Sequence, residues 1–420
     1  MAASEISDVI AALTPGQRRR SLAAVIASAG AAGLTFGMTI PLLALILEHR
    51  GVDSTWIGLN TATAALAVFL VGPFVPRIID RLGVLPAMYV AIVGAVAVIL
   101  LMPLWDALWC WFLLRFLLGC FGAVHWIIGE TWLVSVASRE TRGRVVALYM
   151  MVMAAGFAAG PILINLVGIA GWPPFLVAGG LIAASALPLM CAHGCAPRLP
   201  ARAPAAVALA VRTAPLVLAA AALAGFTDMT LLSFLPLYGL AHGLEQSRAV
   251  LLLTVLLVGN LALQLPLGWL ADRVDRRRLL ILCGVVFLVS PLLLPLVIEQ
   301  TPLLWPLLAI WGGASLGIYT LALTILGDRF PPAALAGANA AVVASYEVGS
   351  VAGPILSGAG KDLFGPEAIM ALLALAAAVF LGCAAYRSLG RRRGEGKRAL
   401  LHRLPLTTKA RAMRVPRLPE

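Results

Sequence analysis

The segment Gly156-Phe157-Ala158-Ala159-Gly160-Pro161-Ile162-Leu163 returns 193 residues later as Gly349-Ser350-Val351-Ala352-Gly353-Pro354-Ile355-Leu356. Two further landmarks repeat at nearly the same offset. Asp80-Arg81 comes back as Asp272-Arg273 after 192 residues, and Ile40-Pro41-Leu42 is echoed by Leu235-Pro236-Leu237 after 195. Chance supplies one such pair far more readily than three in register, so the chain reads as two similar halves in tandem.

Both copies of the glycine-proline segment sit inside long apolar stretches. Of the 420 residues, 61% are hydrophobic and 12% charged, and the mean hydropathy is +0.97. A water-soluble globule of that composition would have to show far more apolar surface than a monomer tolerates, so the solvent for most of this chain is lipid. Apolar runs of about 20 residues occur at 21–47, 55–76, 84–105, 107–137, 144–168 and 172–193, and again at 214–240, 248–270, 279–298, 303–327, 335–359 and 366–387. They lack the period-two alternation of a barrel strand, and only helices or closed barrels satisfy the backbone in lipid. The expected fold is therefore all-α, with twelve transmembrane helices in two six-helix bundles. The expected units are a cytoplasmic N-terminus at 1–20, a bundle at 21–194, a cytoplasmic linker at 195–213, a second bundle at 214–388 and a basic cytoplasmic tail at 389–420.

Charge placement orients the chain, because Lys and Arg collect on the cytoplasmic side of short loops. Alternate connections hold Arg18 to Arg20, Arg77 with Arg81, Arg139 with Arg142 and Arg144, Arg198 with Arg202 and Arg212, Arg273 with Arg276 to Arg278, and Arg329. With the eleven basic residues from Arg387 to Arg417, this places 27 of the 31 on one side. The opposite connections carry Arg50, Arg248 and Lys361, and Arg115 alone lies inside a span. Both termini are expected in the cytoplasm. The net charge of +12 resides in the tail and inner loops, which points to anionic lipid near the tail rather than nucleic acid. Cys110, Cys120, Cys283 and Cys383 lie in apolar runs as small core residues, and nothing completes a four-ligand set around Cys191 and Cys195. No metal or other cofactor is expected. A phosphate loop of the form Gly-x-x-x-x-Gly-Lys-Ser/Thr is also absent, which argues against a nucleotide-driven step.

Gly268-Trp-Leu-Ala-Asp272-Arg273-Val-Asp275-Arg276-Arg277 resembles the signature loop of the major facilitator superfamily between spans eight and nine, and Pro76-Arg-Ile-Ile-Asp80-Arg81-Leu-Gly83 occupies the equivalent place between spans two and three. The two Gly-x-x-x-Gly-Pro elements, Gly156 and Gly160 with Pro161 and Gly349 and Gly353 with Pro354, resemble that superfamily's packing element, and Arg115-Phe-Leu-Leu-Gly119 its fourth-span arginine motif. A finer similarity, to the YcaD-like bacterial branch, rests on Glu130 with Trp132, on Arg142-Gly143-Arg144 leading into Ala147 to Val152, and on Ser345-Tyr346-x-x-Gly349-Ser350. The departures are Pro76 for the opening Gly, Val84-Leu85 for a basic pair, Asp275 for the second Gly, and Leu118 where proton-driven drug exporters carry Gln. The resemblance implies a secondary transporter, a monomer working by alternating access rather than an enzyme. It also implies that spans one, four, seven and ten line the cavity, and that Asp80 and Asp272 dock at the starts of spans eleven and five as a cytoplasmic gate, beside Arg81, Gly83, Gly268, Arg273 and Arg276.

An ionisable group inside a span costs roughly 2.5 to 3.5 kcal/mol on insertion scales, which makes each one a functional candidate. Arg115, His125 and Glu130 lie in span four, Asp228 in span seven and Glu347 in span eleven. Glu130, Asp228 and Glu347 are the candidates for proton coupling, since a carboxyl in low dielectric can exchange a proton near neutral pH. Thr39, Arg115, His125, Asp228 and Tyr319 are the candidates for contact with a small solute. Glu130 has the alternative of pairing with Arg142 or Arg144. His125 has that of a neutral hydrogen-bonded helix contact, and Arg115 that of a tie to Asp228, Glu347 or a carbonyl. Three acids against one arginine favour export of a cationic or amphipathic compound over import of an anion or sugar. A sensor that binds without flux is the remaining alternative.

Overall fold

The computed structural model of the protein describes residues 14–138, 141–195, 211, 213–271, 273–330 and 332–403. Asp272, most of the linker 195–213 and the end of the basic tail lie outside the described residues. Among the described residues, twelve helices are long and apolar enough to cross a membrane. They are α1 (Pro15–His49), α2 (Ser54–Leu82), α3 (Val84–Leu104), α4 (Leu108–Val136), α5 (Arg142–Val167), α6 (Pro173–Met190), α7 (Pro215–Ala241), α8 (Gln246–Ala271), α9 (Arg276–Val297), α10 (Thr301–Arg329), α11 (Pro332–Phe364) and α12 (Glu367–Arg403). The α12 helix continues past the expected membrane limit at 388, as far as Arg403.

Local chemistry sets the boundaries. Thr14 starts α1 with a capping box, its hydroxyl accepting from the Gln17 N–H while Gln17 returns a bond to the Thr14 N–H. In α2, Pro73 coincides with a 3-10 turn at Gly72–Phe74 before the helix resumes to Leu82. Gly83 then turns the chain into α3 at φ +83°, a conformation that strains any residue with a Cβ. Asp275 explains one departure from the superfamily pattern: its carboxylate caps α9, accepting from the Arg278 N–H at 2.9 Å.

The apolar residues left on the outside, such as Phe69, Val93, Leu166 and Leu296, form a lipid-facing band. Inside, the repeat seen in the sequence becomes a repeat of packing. In the first half α1 lies along α5, α2 along α4, and α3 touches α4 and α6. In the second half α7 lies along α11, α8 along α10, and α9 touches α10 and α12. The halves meet through α2 with α11, α5 with α8, and α1 with α7, the pairing a pseudo-two-fold axis requires. The glycine-proline elements explain the closest contacts. A Cβ at Gly156 or Gly160 would strike the α1 backbone at Gly30 or Gly37, and one at Gly349 or Gly353 would strike α7 at Ala222 or Phe226.

Candidate solute and coupling site

In the second half, side chains from α7, α10 and α11 converge. The Asp228 carboxylate of α7 accepts from Ser315 of α10 on one oxygen and from the Tyr346 hydroxyl of α11, at 3.2 Å, on the other. Tyr319 of α10 stands edge-on to Tyr346, with ring centroids 5.3 Å apart and planes at 68°. Glu347 follows Tyr346 on α11 and makes no hydrogen bond among the described residues. From the other half, Glu130 of α4 accepts the Trp126 indole N–H at 2.8 Å. Asp228, Glu130, Glu347 and Tyr319 are half-buried rather than sealed.

Ser315 and Tyr346, which hold Asp228, were missed as site residues by sequence reasoning. The signal for Tyr346 was present, since Ser345-Tyr346-Glu347 is a polar patch interrupting an apolar span. Ser315 carries no such mark. Glu130 makes no ion pair with Arg144, and the side chain of Arg142, the other partner expected for it, lies outside the described residues.

The other candidates lie elsewhere. His125 is 5% exposed and shares a 3.1 Å hydrogen bond with Ser28 of α1, the helix contact that was its alternative. With Thr35 and Thr39 it lines a cavity inside the first bundle, among α1, α3, α4 and α6, with room for about one water molecule. Arg115 is 3% exposed and makes no hydrogen bond or ion pair among the described residues, and Asp228 is engaged by Ser315 and Tyr346 instead. The expected tie from Arg115 to Asp228 or Glu347 is absent.

At the arginine-rich end, Asp80 is exposed and makes no hydrogen bond or ion pair among the described residues, so the docking expected at the start of α11 is not seen there. Arg81 and Gly268 are exposed, the Arg273 guanidinium lies 3.6 Å over the Trp269 ring, and Arg276 bonds back to the Ala271 carbonyl. At the opposite end the halves are latched. Asp362, near the end of α11, accepts the N–H groups of Ser54 and Thr55 at 3.0 and 2.7 Å and the Thr55 hydroxyl at 2.7 Å. A carboxylate on the first amides of α2 is a charge on a helix N-terminus. Lys361 reaches Glu48 of α1 at 2.7 Å, and Asn165 of α5 donates to the Ser247 carbonyl of α8 at 3.1 Å. Gly58 and Gly358 let α2 and α11 approach backbone to backbone.

Comparison with known proteins places this geometry. The family model described as Major Facilitator Superfamily matches residues 25–256 and 217–417. The chain is 26% identical over 336 residues to the uncharacterized MFS-type transporter YfkF of Bacillus subtilis, covering 78% of this chain and 85% of that one. It is 27% identical over 347 residues to the uncharacterized MFS-type transporter YcaD of Salmonella arizonae, covering 81% and 88%. Among solved structures, the nucleoside transporter NupG superposes with a TM-score of 0.72 at 10% identity, covering 87% of this chain and 98% of NupG. A bacterial homolog of the human lysosomal transporter Spinster, in an inward-facing and unoccupied conformation, superposes at 0.65 with 14% identity, covering 89% and 96%. The family and these neighbours are transporters rather than enzymes, and twelve spans make the chain a multi-pass membrane protein. It belongs to the major facilitator superfamily, within the YcaD-like branch.

Proposed function

We propose that this protein is a proton-coupled secondary transporter of the bacterial inner membrane that exports a small cationic or amphipathic solute, with both termini cytoplasmic and the bundles at 21–194 and 214–388 as its moving units. The observation that carries the reading is the Asp228 carboxylate within α7, held by Ser315 of α10 and Tyr346 of α11 with Tyr319 packed against Tyr346. A proton or a cationic solute that neutralises Asp228 weakens the bonds tying α7 to α10 and α11 and so biases how these helices pack, which is what coupling requires. The edge-on Tyr319–Tyr346 pair beside the carboxylates presents ring faces and negative charge to an organic cation. The latch at the end opposite the arginine-rich loops, together with the undocked Asp80, fits a carrier open toward the cytoplasm.

The test is pH-gradient-driven flux in proteoliposomes, following lumenal pH while cationic, anionic and neutral solutes are added to wild type, Asp228→Asn and Glu130→Gln. Dissipation of the gradient by a cationic solute in wild type, with loss in both variants, is the expected result. Gradient-driven flux that persists in both variants overturns the coupling assignment. Saturable binding without flux would favour the sensor reading, and uptake of anions or sugars would favour the importer.

A further inference from the structure

Arg115 and Asn60 stand out as buried donors with nothing to donate to. They are 3% and 2% exposed, and the Arg115 Nε and the Asn60 Nδ2 have no hydrogen-bond partner. The two residues lie on helices that pack side by side and, with one re-entry between them, run in the same direction across the membrane. Their register is fixed by Gly119, where an added Cβ would strike the backbone and side chain of Ala64 and Ala67. One turn earlier on each helix, four residues back, this register sets Arg115 beside Asn60.

What both residues lack is an acceptor. A guanidinium taken out of water costs several kcal/mol unless a counter-charge and hydrogen bonds replace its hydration. The carboxylates that would have served are elsewhere. Asp228 is held by Ser315 and Tyr346, and Glu130 is fifteen residues along the same helix, about 22 Å away at 1.5 Å per residue. We propose that Arg115 and Asn60 form an anion-binding subsite, for a carboxylate, phosphate or halide that supplies the missing acceptor. The planar guanidinium and the amide N–H₂ together offer the forked donor set that suits an oxyanion. The site is separate from the carboxylate and tyrosine cluster and does not depend on proton coupling. It lies toward the latched end, and the next residue of α2 after Asn60 is Thr61, which accepts from Ser233 of α7 across the halves at 3.2 Å. An anion held there is shut off from that end while the latch is closed. Two sources share this chemistry: an inorganic anion that accompanies transport, or an acidic group on the cargo itself.

The test uses the purified full-length protein in lipid nanodiscs, in a low-salt zwitterionic buffer, with the thermal unfolding midpoint read by tryptophan fluorescence. Sodium chloride, sodium phosphate and sodium benzoate are titrated into wild type, Arg115→Met and Asn60→Leu. Wild type should show a saturable rise in midpoint with at least one anion, and Asn60→Leu should need about tenfold more of that anion, the loss of one hydrogen bond to a charged group. Arg115→Met should lose the response, while its midpoint without added anion stays at or above that of wild type because an uncompensated charge has gone. Saturation by chloride or phosphate assigns an inorganic anion, and saturation by benzoate alone assigns the acidic group of an organic cargo. No saturable rise in wild type, or an equal rise in Arg115→Met, overturns the proposal. Should Arg115→Met fail to fold, an unchanged affinity in Asn60→Leu overturns it as well.

Discussion

Trp132 is fully buried in the first bundle, and its indole N–H donates to the Ser21 hydroxyl at 2.8 Å, which in turn donates to the Cys195 carbonyl at 2.9 Å. This chain of bonds ties α4 to α1 and to the end of α6 without any charged group. Trp132→Phe keeps most of the apolar volume but leaves the Ser21 oxygen short of a donor in a dry place, a loss of about 1–3 kcal/mol. A lower thermal midpoint in nanodiscs with little change in Michaelis constant is the expected outcome, and a large change in solute affinity at unaltered midpoint would place Trp132 in the transport path instead. Asp228 presents the opposite case at the same scale. Its position in a span marked it in the sequence, whereas Ser315 and Tyr346, which orient it, sit 87 and 118 residues away and are brought in only by packing. A costly buried charge can be read from one dimension, but its hydrogen-bond partners cannot.

At the scale of the helix, small residues decide which faces touch. Gly160 lies against the α1 backbone at Gly37 and Met38, while Gly268 has nothing within 4 Å of where a Cβ would stand. Gly160→Val should therefore reduce folded yield severely, and Gly268→Ala should leave it unchanged; size-exclusion profiles of the two variants decide the matter. The Asp362 latch belongs to this scale too. It repeats, at the other end of the molecule, the logic expected for Asp80, with a carboxylate of one half seated on the first amides of a helix in the other. Asp362→Ala removes three bonds to that helix start and should raise the population open at that end about tenfold, the scale of one lost hydrogen bond to a charged group. Thr61→Cys, buried beneath the latch, is the reporter. Its labelling by a membrane-impermeant thiol reagent from that side should speed up correspondingly in Asp362→Ala, and an unchanged rate would show that α2 and α11 are held by packing alone. The glycines of the α1–α5 and α7–α11 seams were legible because Gly-x-x-x-Gly-Pro recurs in both halves. Asp362 was not, since an acid near a loop carries no mark of the amides it will meet.

For the molecule as a whole, the 193-residue offset forecast the architecture, because a tandem repeat in a membrane must bury equivalent faces twice. The structure adds which faces those are: α2 on α11 and α5 on α8, related by the exchange of halves, with α1 on α7 along the axis. If the halves alternate as units, both seams must part when the latched end opens, including the Asn165–Ser247 contact on the side of the axis away from Asp362. Paired cysteines test this without touching the carboxylate cluster. In a background lacking the exposed Cys191 and Cys383, Asn165→Cys with Ser247→Cys would be cross-linked by a short bis-maleimide or by oxidation, and solute flux measured before and after. Cross-linked protein should lose at least nine-tenths of its flux while still binding solute from the arginine-rich side, and reduction of the oxidised form should restore transport. Either single variant should be unaffected by the same treatment. Full flux through the cross-linked protein would mean that α5 and α8 stay together throughout the cycle, and that the halves bend rather than rock about their shared axis.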